Sequence, residues 1–239
     1  MSVSIPYLDL VDVLEREVAK ARPGARVASE HELADANGVS RPTARAALQE
    51  LERRYLVRRV RGSGTFVNRR VDYLVSYDMA PSWSETIRLA GAEPGSEILN
   101  IRLSPAAAAL RRRLELPPRS RVVVVTRRST VDGILASTAT THLPADLVPD
   151  LARHLRTSGS LYRLLVKHYG LDPKRVWSRA SFEVPPDEIA RRLGLETPEP
   201  AWLLESLNRD IRSGRPTELT LGWMRAEVLR VVFEMGERP

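Results

Sequence analysis

Apolar residues recur at helical spacing in two segments near the start of the chain. Leu10, Leu14 and Val18 form the stripe of the first segment, which a Pro-Gly pair ends. The second stripe consists of Ala44, Ala47, Leu48 and Leu51. These patterns predict a helix over residues 7–21 and another that begins just after residue 40.

Residues that favour helix ends predict a short helix between these two. Ser29 and Glu32 match a capping box, in which each side chain accepts a hydrogen bond from the other residue's backbone amide. Asn37-Gly38 supplies left-handed residues that end this helix, and Ser40 caps the next one. Two helices joined by so few residues around a glycine are typical of a helix-turn-helix, whose second helix enters the DNA major groove.

Two strand-like runs follow the third helix. Residues 55–60 and 65–67 are rich in residues that favour strands, and Gly62 and Gly64 lie in the turn between them. The pattern predicts a β-hairpin, which we interpret as the wing of a winged helix-turn-helix. We therefore expect residues 1–70 to form a DNA-binding domain.

Strand pairs and helices alternate from residue 71 onward. Asp132-Gly133 is a strong hairpin signal, and Ser213-Gly214 marks a second hairpin. The predicted strands cover residues 121–130, 134–143, 174–184, 201–210 and 216–224, and the predicted helices cover residues 104–116 and 160–169.

The helix-plus-hairpin pattern occurs twice in this region. The segment Arg112-Arg113-Leu114-Glu115-Leu116 resembles Arg191-Arg192-Leu193-Gly194-Leu195, and each precedes a predicted hairpin. This repeat predicts that residues 71–239 form a pseudo-symmetric α+β domain with one antiparallel sheet. We expect helices on one face of the sheet and a cleft where the two halves meet.

Positive charge is concentrated in one short segment. Residues 41–70 hold nine arginines against two glutamates, a local excess of +7 that equals the net charge of all 239 residues. A basic segment of this kind is typical of a surface that binds the phosphate backbone of DNA. Charge alone leaves open a basic face that is merely solvated.

The composition excludes several kinds of chemistry. Cysteine is absent, and the four histidines do not show the spacing of metal ligands. No apolar run approaches the roughly 20 residues of a membrane span, and residues 1–13 do not resemble a secretory signal. We therefore expect a cytoplasmic protein without metal, cofactor or membrane association.

Three motifs give the first domain a family resemblance. They are the segments 28–34, 39–48 and 61–67, with the sequences ASEHELA, VSRPTARAAL and RGSGTFV. These motifs resemble the winged helix-turn-helix of bacterial transcription regulators of the GntR family. The resemblance implies contacts to double-stranded DNA by nine residues, namely His31, Ser40, Arg41, Thr43, Arg45, Arg61, Gly62, Ser63 and Gly64.

The first domain departs from the family pattern at three positions. His31 stands where the family commonly has an arginine that contacts phosphate, Ala44 replaces a usual valine, and Tyr55 replaces a usual glycine. Of these, only His31 bears on DNA contact. We expect the contact of His31 with phosphate to be weaker than that of arginine or to depend on pH.

The second domain is similar to the UTRA effector domain of the HutC subfamily, whose fold resembles chorismate lyase. The similar segments are Val131-Asp132-Gly133, Leu143-Pro144, residues 160–165 with Tyr169-Gly170, and residues 215–218. The resemblance implies an effector site formed by Arg127, Ser160 and Glu218. Arginine suits a phosphate or carboxylate, and Ser160 is placed at the start of a helix, where an anion is favoured.

For each of these three residues a structural role is an equal alternative. Ser160 can simply cap its helix, and Arg127 and Glu218 can be ordinary surface or cross-strand charges. Ser129, Ala139 and Met224 differ from many relatives, which indicates an effector other than an amino-sugar phosphate. Carboxylate, phosphonate, phosphosugar and imidazole-type ligands remain open.

These features predict a homodimeric regulator that binds a palindromic operator and a small-molecule effector. We expect a repressor that an anionic metabolite releases, with residues 68–77 as the connection whose geometry changes. The alternatives are a lyase-like enzyme, for which no nucleophile–base pair is evident, and a non-specific DNA-binding protein. The near-neutral charge of residues 71–239, with 24 basic and 21 acidic residues, disfavours the second alternative.

Overall fold

The chain divides into two compact units, Met1–Arg70 and Val71–Pro239. The computed structural model describes residues 7–60, 62–77 and 80–235. In that part of the chain, no helix combines the length and the apolar character needed to cross a bilayer.

Within its described residues, the first unit contains three helices and three short strands. They are α1 (Tyr7–Lys20), β1 (Arg26–Val27), α2 (Glu30–Asn37), α3 (Arg41–Arg53), β2 (Val57–Val60) and β3 (Gly64–Val67). Leu10, Leu14, Leu48 and Leu51 are at most 2 % exposed and form the centre of its core. The predicted apolar stripes of α1 and α3 are therefore confirmed.

The predicted caps hold the helix-turn-helix together. The Ser29 hydroxyl accepts from the Glu32 amide at 3.3 Å, and the Glu32 carboxylate accepts from the Ser29 amide at 2.6 Å. Gly38 ends α2 in the left-handed conformation, with φ at 63°, which a side chain would strain. Asn37 was expected to share that conformation but lies inside the helix, where its side-chain amide donates to the Leu33 carbonyl.

Strand β1 was not predicted, because two residues carry too little pattern. It pairs with β3, so the sheet order is β1-β3-β2 and the wing is a three-stranded sheet. Its pairing depends on contacts about 40 residues apart in sequence, such as Arg26 opposite Phe66.

The part of the second unit that the structure describes contains five helices and eight strands. The helices are α4 (Trp83–Leu89), α5 (Ala108–Arg113), α6 (Leu151–Ser158), α7 (Leu161–Lys167) and α8 (Asp187–Leu193). The strands are β4 (Val71–Val75), β5 (Pro94–Pro105), β6 (Arg121–Val131), β7 (Ile134–Pro144), β8 (Pro173–Glu183), β9 (Ala201–Asp210), β10 (Pro216–Met224) and β11 (Leu229–Phe233).

Six strands form one antiparallel sheet in the order β5-β6-β7-β10-β9-β8. The hairpins β6–β7 and β9–β10 meet at its centre, where β7 pairs with β10. Strands β5 and β8 extend the two halves outward in the same way, so the sheet has the predicted two-fold repeat. Strands β4 and β11 form a separate parallel pair, in which Arg230 forms two hydrogen bonds to the Asp72 carboxylate at 2.6 and 2.8 Å.

The prediction of a helix over residues 104–116 is largely wrong. Ser104 and Pro105 end the edge strand β5, and only Ala108–Arg113 is helical. The apolar side chains Leu99 and Leu103 on this edge strand are 38 % and 48 % exposed, so β5 lacks the alternation that marks a half-buried strand. Because the end of β5 shows no alternation, this segment and the alanines after it together resemble one longer helix.

Helices cover both faces of the sheet, contrary to the expectation of one. Val123 and Val125 of β6 pack with Leu161 and Leu165 of α7. Val122 and Val124 belong to a separate cluster with Leu114, which follows α5. Because neighbouring residues of a strand point to opposite faces, α7 and α5 lie on opposite sides of the sheet.

Candidate functional site

The exposed start of helix α3 presents the two arginines expected to read DNA. An Nη atom of Arg41 lies 3.1 Å from Nδ1 of His31, and Nε of Arg45 donates to the Glu30 carboxylate at 2.9 Å. The arginines lie four residues apart, so they share one face of the helix. His31 also lies 3.5 Å from Asp35, which places an acidic neighbour beside it.

Ser40 and Thr43 take part in capping as well as lying on this surface. The Ser40 hydroxyl accepts from the Thr43 amide at 3.2 Å, and the two hydroxyl oxygens are 2.8 Å apart. The cap fixes the first turn of α3, and with it the direction in which the helix start points.

At the wing tip, the structure describes three of the four predicted residues. Gly62 and Gly64 have φ values of 76° and 118°, and the Ser63 amide donates to the Val60 carbonyl at 2.9 Å. A Cβ atom on Gly64 would meet only the end of the Arg26 side chain at 3.4 Å, so the positive φ values, not crowding, disfavour a side chain at this turn. Arg61 lies outside the described residues.

Several arginines of the basic segment are paired with acids. Glu50 accepts from both Arg53 and Arg54, and Arg59 lies 3.2 Å from Glu52 and 3.6 Å from Glu30. Much of the charge near the end of α3 is therefore neutralised. The basic surface is narrower than the sequence count of arginines indicates.

A second candidate site is a cavity of about 80 Å³ in the second unit. One water needs about 10–15 Å³ by this measure, so the cavity has room for a small molecule. Arg127, Ser160 and Glu218 all line it, so the structure brings together the three residues expected to bind an effector.

A polar row crosses three strands of the sheet beneath the cavity. Arg175 of β8 pairs in register with Asn208 of β9, and Asn208 pairs with Glu218 of β10. All three are at most 7 % exposed. The Asn208 side-chain amide donates to the Glu218 carboxyl group, while Oδ1 of Asn208 is buried without a hydrogen-bond partner in the described structure.

Glu218 is a buried acid among cations. Burial raises its pKa, and the opposing effects of the Asn208 hydrogen bond and of Arg127 and Arg175 are smaller. Folding thus favours the neutral form of this carboxyl group.

Arg127 lies on β6, and its Nη2 atom donates to the Thr141 hydroxyl at 3.2 Å. Burial lowers its pKa, against the attraction of Glu218. The Nε atoms of Arg127 and Arg175 are both buried, and neither has a hydrogen-bond partner among the described residues. Two guanidinium groups against one carboxyl group make the cavity suitable for an anion.

Small side chains leave space beside Arg127. Ala139 and Gly222 follow it in one cross-strand row, and Ser129 lies opposite Ser137 in another. Ser129, Ala139 and Met224, the three positions expected to differ from many relatives, line the cavity. These differences therefore lie where they can change which ligand fits.

Ser160 combines both roles considered for it. It is the N-cap of α7, with its hydroxyl accepting from the Arg163 amide at 3.3 Å, and it also lines the cavity.

The cavity residues that the sequence analysis missed include Tyr73, Trp83, Arg175 and Asn208. The rings of Tyr73 and Trp83 are stacked with centroids 5.7 Å apart. Asn208 lies opposite Glu218 within a predicted hairpin, so the register of that hairpin could have placed Asn208 beside the effector site. Arg175, Tyr73 and Trp83 come from other elements, and no local pattern places them here.

Two family models match the chain. The model described as bacterial regulatory proteins, gntR family, matches residues 6–67, and the model of the UTRA domain matches residues 89–230.

Similar proteins of known name are regulators. The HTH-type transcriptional regulator GgaR of Escherichia coli is 28% identical over 205 residues, which are 86% of this chain and 80% of that protein. The mannosyl-D-glycerate transport/metabolism system repressor MngR of Escherichia coli is 28% identical over 211 residues, 85% of this chain and 84% of that protein. The crystal structure of PhnF from Mycobacterium smegmatis shares the fold, with a TM-score of 0.65 and 23% identity over 96% of this chain and all of that one.

Proposed function

Because the chain belongs to the GntR family of bacterial transcriptional regulators, in its HutC-like branch with a UTRA domain, we propose that it is a repressor released by a small anionic metabolite. The chain is a DNA-binding regulator and, like its family, not an enzyme. Similarity to a named repressor supports repression as the direction of control.

DNA reading is assigned to the start of α3 and to the wing. Arg41 and Arg45 contact base edges, Ser40, Thr43 and His31 contact the backbone, and the wing tip at residues 61–64 reaches the adjacent groove. One such DNA-binding domain contacts few bases, so sequence-specific binding requires two of them on a palindromic operator. We propose a homodimer with half-sites about one helical turn apart. Light scattering that finds only monomer at micromolar concentration, with and without operator DNA, would contradict this.

The effector is an anion held between Arg127 and Arg175. The observation that carries this proposal is the pair of buried Nε atoms without partners in the described structure, since a buried N–H donor without an acceptor is costly. Glu218, Asn208 and Ser160 would accept or donate hydrogen bonds to the polar remainder of the ligand. A carboxylate, phosphonate or phosphosugar satisfies both arginines, whereas an imidazole without an anionic group does not.

Strand β4 supports a mechanism by which effector binding changes DNA binding. Residues 68–77 were expected to be the connection that changes, and half of this segment is β4, whose Tyr73 lines the cavity. Tyr73 lies three residues after Arg70, the last residue of the first unit. A ligand shifts the DNA-binding equilibrium only as far as its affinities for the two conformations differ. We place that difference at Tyr73 and its neighbours in β4.

The function is tested by a gel shift on DNA from upstream of the chain's own gene. We expect a specific shift that a carboxylate, phosphonate or sugar phosphate from a metabolite panel reverses. Equal retardation of unrelated DNA would indicate a non-specific binder. A specific shift that every anion leaves unchanged would contradict release by an anionic effector.

A further inference from the structure

The carboxylate of Glu30 joins three elements of the first unit. Glu30 is the first residue of α2, and its Oε2 atom accepts from Nε of Arg45 on α3 at 2.9 Å. Its Oε1 atom lies 3.6 Å from an Nη atom of Arg59 on β2. One acid therefore connects the start of the helix-turn-helix, the recognition helix and a strand of the wing.

The bond to Glu30 engages Arg45 through Nε alone. The side chain of Arg45 is 62 % exposed, whereas that of Glu30 is 27 % exposed. The carboxylate is thus partly withdrawn, and the two Nη groups of Arg45 lie at the far end of the guanidinium. Those are the groups with which an arginine donates hydrogen bonds to O6 and N7 of guanine.

A carboxylate on a DNA-facing surface has two opposite effects. It repels phosphate and so weakens binding to DNA of every sequence. It also restricts a long, flexible side chain before binding, which reduces the freedom lost when that side chain meets a base. The first effect lowers affinity and the second raises discrimination.

We propose that Glu30 is a positioning residue for DNA recognition, which aims Arg45 at base edges and lowers affinity for non-cognate DNA. This inference rests on the proposed role of Arg45 as a base-reading residue. It assigns to Glu30 a function that neither the charge count nor the helix cap at Ser29 requires.

The test compares two DNA probes. One is a duplex selected from a random library by the wild-type full-length chain, and the other is a random duplex of equal length. Binding of each is followed by fluorescence anisotropy, and the specificity ratio is the quotient of the two dissociation constants. Glu30→Gln should tighten random-duplex binding about 3- to 10-fold, because one repulsive charge is lost. It should lower the specificity ratio by about 5-fold or more, because Arg45 is released.

Glu52→Gln is the matched control, since Glu52 pairs with Arg59 at 3.2 Å and does not contact Arg45 in the described ion pairs. It should tighten random-duplex binding to a similar degree and keep the specificity ratio. Glu30→Asp keeps the charge but shortens the reach. It should bind the random duplex within about twofold of wild type and still lose specificity. Thermal unfolding of each variant verifies that it is folded.

Three results would overturn the proposal. If Glu30→Gln and Glu52→Gln change both affinities equally, Glu30 acts only as a charge. If Glu30→Gln lowers the ratio as much in an Arg45→Ala background as alone, it does not act through Arg45. If Arg45→Ala keeps the wild-type specificity ratio, the base-reading role of Arg45 is wrong, and the role of Glu30 is wrong with it.

Discussion

Asn208 and Glu218 face each other across strands β9 and β10, and the Asn208 amide donates a hydrogen bond to the Glu218 carboxyl group. On the other side of Asn208, the same row continues to Arg175. The row therefore presents an acid, an amide and a cation side by side. Such an arrangement suits a ligand that has both an anionic group and a hydrogen-bond donor.

Arg127→Ala is expected to separate effector binding from DNA binding. It removes a charge-assisted contact, so effector affinity should fall at least about 10-fold while affinity for the selected duplex stays within about twofold. Anisotropy titrations with and without the effector measure both. Arg128→Ala is the control, because the neighbouring Arg128 pairs with Glu97 at 2.7 Å and does not line the cavity.

One result would contradict the prediction for Arg127→Ala. If Arg127→Ala loses duplex binding while the metabolite still raises its melting temperature normally, the effector site has been assigned to the wrong place.

Tyr73→Leu is expected to weaken the coupling between the two sites. The change removes a ring that stacks on Trp83 in the cavity, on the strand nearest the first unit in sequence. Coupling free energies of about 1–3 kcal/mol correspond to a 5- to 150-fold effect of effector on duplex affinity, and this factor should shrink. Tyr77→Leu, at a side chain that is 63 % exposed, should retain the wild-type factor. An undiminished factor in Tyr73→Leu would exclude this route.

Glu218→Gln is expected to stabilise the ligand-free protein at neutral pH. Burial raises the pKa of Glu218 above its ordinary value of 4.5, so ionisation lowers stability as pH rises from about 4.5 through the raised value. Below that window both folded and unfolded states are protonated, and the variant should match wild type. The melting temperature should therefore be higher in Glu218→Gln at pH 7, by a few degrees for each ~1 kcal/mol, and equal near pH 4. A variant that is less stable than wild type at pH 7 would show that the ionised acid stabilises the fold.

Arg41→Ala is expected to lower sequence preference strongly. A base contact by arginine contributes about 1–3 kcal/mol of discrimination, so the specificity ratio should fall about 5- to 150-fold. Arg53→Ala is the matched control, since Arg53 lies at the other end of α3 and pairs with Glu50. Retention of the wild-type ratio by Arg41→Ala would exclude α3 as the recognition helix.

Much of the first unit was predictable because its signals are local. The caps at Ser29 and Ser40 and the turn at Gly38 involve residues within a few positions of each other. The same is true of the hairpins of the second unit, where Asp132-Gly133 sets a tight turn between two long strands. Strand β5 at the sheet edge and the two-residue strand β1 were missed because their local signals are weak, and the expectation of helices on one face was wrong because packing decides that feature.

Short-range hydrogen bonds and apolar periodicity specify the winged helix-turn-helix and the doubled helix-plus-hairpin pattern, so these features and the basic segment were readable from the chain alone. Which residues share the cavity depends on packing between distant segments. Arg175 joins Arg127 there because the strand order β5-β6-β7-β10-β9-β8 is not the order of the chain, and Tyr73 and Trp83 join from β4 and α4, which pack beside that sheet. Packing likewise placed Glu30 against Arg45, fifteen residues away, where no spacing rule applies.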